Sequence, residues 1–343
     1  MPPLTAPVRR PSSTAADVPS PAPAPSRSQR TNPAQRTSHA PAHEHPPPAH
    51  EHPPPAHERP QPPAAPHARL AAWLQAHRRI VVLTGAGVST ASGIPDFRSA
   101  GGIWTRYDPR RFTFSRYVAS QEVRAEAWRM RRELWGQRTR PNAAHRAVTE
   151  LERTGRAVGV VTQNIDGLHS DAGARAVIEL HGSARRVCCI GSRPRKGTPQ
   201  GCGFAAPADW ALARLEAGEV DPRCPDCGGI MKSATVSFGQ NVDPATLQRA
   251  RDRVHAAEAV LALGSSLRVQ PAASLPAQAA DRGVPLAIVN REPTPLDERA
   301  DLVAHGAVEH LLPAAVAARD DTAGQQPTRP AAGATGRRQS HEA

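Results

Sequence analysis

Lysine is nearly absent from this chain. Lys196 and Lys232 are the only two, so the formal net charge of +12 rests almost wholly on arginine. Arginine, alanine and proline in joint excess are the mark of GC-rich coding and argue against a dedicated nucleic-acid surface. Nucleic acid is therefore not expected as a partner. Aromatic residues are scarce as well, at 3%. Those present lie between Trp73 and Phe238, so the folded part must be shorter than the 343-residue chain. Five cysteines are too few and too unevenly spaced for a disulfide framework. No run of about 18 apolar residues occurs, which excludes a membrane-spanning helix. The first twenty residues lack the apolar core of a secretory signal. Arg9 and Arg10 stand in an acid-poor start, but Pro2, Pro3, Pro7 and Pro11 oppose the amphipathic helix of a transit peptide. The expected setting is the cytoplasm.

Proline is plentiful instead, with 37 residues. Residues 1–66 are dominated by Pro, Ala, Ser and His, with too little apolar surface to offset the entropy of ordering, and read as a disordered tail. A seven-residue unit, Ala42-His-Glu-His-Pro-Pro-Pro, repeats from Ala49 and decays from Ala56. His43, His45, His50 and His52 offer a loose metal site, or merely decorate a solvated polyproline-like spacer. Residues 319–343 are polar and read as a second disordered tail. That leaves a folded domain at 67–318.

Within it, apolar strands alternate with helical segments, the pattern of a parallel sheet covered by helices. Ala71–Ala76 reads as a helix and Ile80–Thr84 as a buried strand running into Gly85. Asn142–Arg153 is helical, opened by Pro141-Asn142 and stopped at Gly155. Val158–Thr162, Ala259–Leu263 and Pro285–Val289 are further strands, with a helix over Ala272–Arg282. Residues 183–232, richer in Gly, Pro and Cys, read as an inserted lobe, and about 100–140 as a helical insertion.

Gly85-Ala86-Gly87-Val88-Ser89 closes the first strand, where glycines let backbone amides approach a phosphate and a following helix adds its positive end. Thr90 stands where a full dinucleotide fingerprint wants a third glycine, so this turn alone is a weak signal. Asn164 and Asp166, just past the second strand and two residues apart, point the same way in an extended segment. An amide and a carboxylate there can grip a carboxamide and ribose hydroxyls, although Asp166 before Gly167 also suits a plain turn. His181 titrates near neutrality and can take a hydroxyl proton, or can simply cap or pack. His169 is assigned no chemical step. Cys224-Pro-Asp-Cys227 is half of a zinc knuckle, a turn presenting two thiolates to one ion.

The segments GAGVSTASGIPDFR from Gly85 to Arg98, Thr162-Gln-Asn-Ile-Asp-Gly-Leu-His169, Leu180-His181-Gly182, Ser237-Phe238-Gly239, Gly264-Ser-Ser-Leu267 and Val289-Asn290 follow one another in an order that resembles the sirtuin (Sir2) family over about 68–317. The stretch after Arg98 and the stretch from Cys224 to Phe238 resemble bacterial and mitochondrial members. The resemblance implies a Rossmann-like parallel sheet with helices on both faces plus a small zinc-ribbon and helical lobe. It implies NAD-dependent removal of acyl groups from protein lysines, with an acyl-lysine protein or peptide as partner and NAD as co-substrate. By that likeness Gly85, Ala86, Gly87 and Ser89 hold NAD. Ile94, Asp96, Asn164 and Asp166 form the nicotinamide pocket, Phe97 shields the reacting sugar carbon, and Arg98 orders the loop and phosphates. Gln163 contacts the nicotinamide ribose, Gly264, Ser265 and Ser266 line the phosphate and ribose end, and Asn290 reads the adenosine. His181 becomes the general base, with Asn164 beside it in the catalytic pair, and Ser237, Phe238 and Gly239 line the substrate tunnel.

The chain also departs from the family. Where a second Cys-x-x-Cys is usual, it has Cys189-Ile-Gly-Ser192, and a Cys-Gly pair returns only at Cys202. Residues 190–201 read as a lengthened hairpin tip, which puts one structural zinc on Cys189, Cys202, Cys224 and Cys227. Cys188 as a ligand, or a three-thiolate site, are the alternatives. Gln240 replaces a frequent acid. Trp128 and Arg131 stand where members that prefer succinyl or malonyl lysine carry Tyr and Arg. Arg131 can pair with a carboxylate, or the two are a packed Trp and a solvated Arg, so the acyl group stays open. Mono-ADP-ribosylation in the same pocket and a non-catalytic NAD or ADP-ribose sensor are the competing functions.

Overall fold

The computed structural model describes residues 64–96, 101–135, 139–192, 194 and 201–323. The N-terminal tail with its His-rich repeat, and most of the C-terminal tail, lie outside the described residues.

Six parallel strands form the main sheet in the order β3-β2-β1-β7-β8-β9. β1 (Ile80–Thr84) lies between β2 (Ala157–Thr162) and β7 (Ala259–Leu263), in register along both edges apart from one irregularity at Ile80/Val81. β3 (Val177–Glu179) flanks β2, while β8 (Leu286–Asn290) and β9 (Leu302–His305) continue past β7. Every side chain of β1 is buried, which explains its aliphatic run from Ile80 to Leu83: a central parallel strand is covered on both faces. Ile80 and Val82 pack one way, with α1 (Pro66–Ala76), α4 (Ala143–Arg153) and α9 (Val308–Ala323). Val81 and Leu83 pack the other way, with α7 (Pro244–His255) and α8 (Ser274–Asp281). The period of two along the strand thus builds two cores from one five-residue segment.

Three helix limits differ from the sequence reading. α1 starts at Pro66 rather than Ala71, because proline at the first turn has no amide to lose and is pre-set for a helix. α8 starts at Ser274 rather than Ala272. α9 continues through Arg319 to Ala323, past the point where polar composition places the tail.

A three-stranded antiparallel sheet, β5-β4-β6, forms the smaller lobe from β4 (Gly182–Cys189), β5 (Ala205–Pro207) and β6 (Met231–Thr235). α2 (Phe114–Ala119) and α3 (Gln121–Trp135) pack on it from the 100–140 segment, and α6 (Ala208–Glu216) from within the lobe. The short α5 (Leu168–Asp171) follows β2. The scarce aromatics are concentrated here: Phe112, Phe114 and Tyr117 join Ile190 and Ile230 in one cluster, and Trp128, Phe204 and Trp210 gather in another. A buried bidentate ion pair from Arg124 on α3 to Asp221 ties the helices to the loop before Cys224. No described helix is long and apolar enough to cross a membrane.

Candidate active site

The chain leaves β1 for β2 on one side and reaches β7 on the other, so the carboxyl ends of β1 and β7 form a switch point where open sheets hold ligands. Two glycine turns interlock there. The Gly87 amide donates to Gly264 O at 2.8 Å. A Cβ on Gly85 would lie 2.8 Å from that same oxygen, and one on Gly264, at φ +57°, would lie 2.5 Å from Val88 N. Neither position tolerates a side chain. The helix expected after this turn is replaced by two short 3-10 turns, Ala86–Val88 and Thr90–Ser92, ending at Gly93 with φ +84°. The Gly85, Gly87, Val88 and Ser89 amides already donate to backbone carbonyls, so what this turn offers an anion is close backbone approach rather than a long helix dipole.

A cavity of about 1530 Å³ opens beside the turn. Gly85, Ala86, Gly87, Ser89, Ile94, Asp96, Gln163, Asn164, Asp166, His181, Gly264, Ser265, Ser266 and Asn290 all line it, as do Ser237, Phe238 and Gly239. Phe97 and Arg98 lie outside the described residues. The remaining sequence-read NAD and substrate positions therefore share one cleft, large enough for a dinucleotide and an inserted side chain.

Ser89 is the hub of the polar floor. Its hydroxyl donates to Asp166 Oδ2 at 2.7 Å and accepts from Asn164 Nδ2 at 3.0 Å. The second Nδ2 hydrogen of Asn164 goes to Gly85 O at 3.1 Å, leaving its Oδ1 as the atom free to accept from a ligand. Asp166 Oδ1 also accepts from Leu168 N at 2.9 Å, so the turn-forming role and the pocket role coexist in one carboxylate. Gln163 Nε2 donates to Ser265 Oγ at 2.8 Å and bridges the ends of β2 and β7. Asn290 Nδ2 donates to Glu292 O at 2.7 Å.

His181 Nδ1 contacts Gln163 O at 3.1 Å. A carbonyl only accepts, so Nδ1 carries the proton and Nε2 keeps its lone pair. Burial holds the His181 pKa below that of free imidazole. His169 sits deeper. Its Nε2 lies 3.0 Å from Thr84 Oγ1, whose own proton goes to Thr162 Oγ1, so His169 donates there and stays neutral. Burial pushes its pKa down to about 3.

At the mouth, Phe238 is 44% exposed and its carbonyl accepts from Phe114 N at 2.8 Å. Gln240 Oε1 accepts from Ser237 N, so this residue folds back on its own turn. Trp128 is buried in the lobe, whereas Arg131 is not a solvated arginine: it lines the cavity and donates to Thr235 Oγ1 at 3.1 Å. Lys232 lines it too, hydrogen-bonded to the Ser233 and Thr235 carbonyls, with burial and then Arg131 lowering its pKa to about 7. Neither cation meets a carboxylate among the described residues. Sequence reasoning missed Lys232, because a lysine in a strand bears no mark of burial until the helices covering it are in place.

Cys189, Cys202, Cys224 and Cys227 bring their sulfurs within 4.8 Å of one another. The Cys189–Cys227 and Cys202–Cys224 sulfur pairs are 3.5 Å apart, close to the roughly 3.8 Å edge of a tetrahedral zinc–thiolate site. A Cβ on Gly229 would come within 3.1 Å of two of these sulfurs, so the glycine keeps the cradle open. Cys188 packs instead against the α2–α3 cluster, apart from the four.

A family model described as the Sir2 family matches residues 85–271. NAD-dependent protein deacetylase 2 of Streptomyces coelicolor is 48% identical over 240 residues, covering 68% of this chain and 95% of the relative. NAD-dependent protein deacetylase 1 of Bradyrhizobium diazoefficiens is 44% identical over 239 residues, covering 68% and 89%. A solved Sir2 variant with a deacetylated p53 peptide and 3'-O-acetyl ADP ribose superposes with a TM-score of 0.66 at 33% identity, covering 73% of this chain and 97% of that one. Fold, cleft, cysteine cradle and these likenesses agree: the chain belongs to the Sir2 family, as a sirtuin of bacterial type.

Proposed function

We propose that this chain removes acyl groups from protein lysine side chains with NAD as co-substrate, releasing nicotinamide and O-acyl-ADP-ribose. The catalytic unit is taken as 67–318, acting in the cytoplasm. The observation that carries the reading is the tautomer of His181: its Nδ1 proton is committed to the carbonyl of Gln163, the residue before Asn164, so Nε2 is a base.

When bound, NAD supplies a ribose carbon with a leaving nicotinamide and hydroxyls that can be activated. Gly85, Ala86 and Gly87 let the phosphates approach the backbone closely, Gly264, Ser265 and Ser266 flank them, and Asn290 holds the adenosine end. Asn164 Oδ1 and the Asp166 carboxylate orient the carboxamide, with Ile94 and Asp96 closing the pocket. His181 Nε2 takes the proton of a ribose hydroxyl. Its low pKa keeps it unprotonated at neutral pH, the form a base needs. Ser237, Phe238 and Gly239 guide the acyl-lysine into the cleft, and Phe97 and Arg98 belong to the same NAD loop. Zinc on the four cysteines is structural, since four thiolates leave no open position.

The test is to incubate the protein with NAD and peptides bearing acetyl or acid-ended acyl groups, the latter because Arg131 lines the cleft wall. Products are read by mass. Wild type should yield acylated ADP-ribose, and His181→Ala should lose about 10²–10⁴-fold. The acid limb of kcat/KM should fall below the 6.5 of free imidazole. ADP-ribose on protein without deacylation would favour the transferase, and no nicotinamide release would favour the sensor.

A further inference from the structure

Phe238, at the mouth of the cleft, is held by the segment that runs into α2. Thr113 bridges to it in parallel, the Phe114 amide donates to its carbonyl at 2.8 Å, and the Trp104 ring lies 5.6 Å from its own. This segment is crowded with arginine. Arg111 pairs with Glu126. Arg106, Arg110 and Arg116 are exposed and meet no carboxylate among the described residues. Asp108 is the acid among them, and it is used as a cap, accepting from the Arg110 amide at 2.9 Å. Arg116 lies two residues past Phe114, and Arg110 two before Phe112, which lines the cleft. Two residues of chain span at most about 8 Å, which is within the reach of a charge in physiological salt.

A further free cation stands on the loop after β7. Buried Leu267, at φ +51°, turns the chain there, with its amide held by Ser265 Oγ at 3.2 Å. Arg268 follows, exposed, lining the cleft and likewise without a carboxylate partner among the described residues. Other arginines of the lining are neutralised, Arg185 by Asp171 and Arg291 by Glu309. The acids of the lining lie off both segments: Asp96 and Asp166 in the nicotinamide pocket, Glu292 beside Asn290, and Asp209 in the first turn of α6. Gln240 adds no negative charge and folds back on Ser237 N. The amides and carbonyls of Gly239, Arg268 and Gln270 have no partner among the described residues, so both segments offer backbone to an extended peptide. That suits a peptide strand better than a nucleic-acid backbone.

We propose that the mouth selects acyl-lysines set in acidic segments: Arg106, Arg110 and Arg116 beside Phe238, and Arg268 on the loop after β7, meet Asp or Glu side chains that flank the modified lysine. The proposal deepens the deacylase reading and rests on it. Acylation removes the charge of the lysine itself, so the substrate presents only its flanking acids to these arginines. Deacylation restores a cation among them, and its repulsion favours release of the product.

The test uses peptides with one acyl-lysine core flanked by Asp, by Ser or by Lys, with kcat/KM measured for each at low and at high salt. One exposed ion pair changes an affinity by about 1.5- to fivefold, so two or three together should favour the Asp over the Ser peptide on the order of tenfold at low salt. High salt should shrink that preference. Arg116→Gln and Arg268→Gln should each lower the Asp-to-Ser ratio by about 1.5- to fivefold. Arg116→Glu combined with Arg268→Glu should turn the preference toward the Lys peptide. A ratio taken within one protein cancels any loss of fold or of chemistry. A wild-type ratio near one, a preference for Lys, or a ratio that neither arginine variant moves would overturn the proposal. If wild type releases no product from any peptide, the deacylase reading falls by itself. Binding of the same labelled peptides, followed by fluorescence anisotropy, then decides the present proposal. Tighter binding of the Asp peptide, weakened in Arg268→Gln, supports it, and equal binding overturns it. Displacement of the Asp peptide by a DNA oligonucleotide of equal charge, at lower concentration than by unlabelled Asp peptide, would also overturn it by reassigning the arginines to nucleic acid.

Discussion

Replacing Arg124 with methionine keeps the length of the side chain and removes its charge at a place where the charge is almost sealed from water. In the folded chain Arg124 Nε lies 3.1 and 3.0 Å from the two oxygens of Asp221, and Nη2 lies 3.0 Å from Oδ2. Nη1 donates to Tyr117 O at 3.1 Å and Val118 O at 3.0 Å, closing the end of α2. The side chains are 6% and 2% exposed. Breaking such a pair from one side costs roughly 3–5 kcal/mol, because the remaining charge stays buried. Here Arg223, 2.8 Å from Asp221 and partly exposed, retains some compensation, so the expected loss is about 3 kcal/mol, the low end of that range. For a domain of this size that is a fall in Tm of roughly 6–12 °C. Urea and thermal unfolding in zinc-containing buffer measure it. The double variant Arg124→Met with Asp221→Leu should recover to within about 1 kcal/mol of wild type, since neither charge is then stranded. A single-variant loss below about 1 kcal/mol, or a double variant no better than the single, would refute the reasoning.

Two further outcomes follow from buried groups. His169 is neutral in the folded chain with a pKa near 3, below its ordinary 6.5; the unfolded chain therefore binds the extra proton first, and stability is full above pH 6.5 and declines as pH falls toward 3. The urea midpoint of wild type should drop below pH 6.5 more steeply than that of His169→Gln, and parallel curves would remove His169 as a cause. Cys224→Ser should reduce bound zinc from about one per chain to well below it and unfold the smaller lobe first. Full metal retention, measured by release with a thiol-blocking mercurial, would exclude Cys224 from the ligand set.

Much of the architecture was legible because its signals are local. Four aliphatic residues and a threonine running into glycine read as a buried strand, and Ile80–Thr84 is one, covered on both faces. Pro141-Asn142 marks a helix start wherever it lies, and the cap forms at Asn142. The order of motifs from Gly85 to Asn290 carried the family. The extent of α9 was hidden, because Arg319, Asp320, Asp321 and Thr322 are polar and composition alone separates a polar helix end from a tail poorly.

What the sequence by itself determined is therefore the chemistry available: an imidazole, an amide and a carboxylate after strand ends, four thiols in two unequal pairs, and glycines where a backbone must be approached. Which of these groups act together was decided only by the tertiary structure. Hydrogen-bond direction depends on partners that the fold supplies, and Gln163 choosing the proton of His181 and Thr235 drawing Arg131 to the cavity wall are contacts between separate elements. A side chain's type states what it can donate or accept, but only its neighbours in the fold determine which it does.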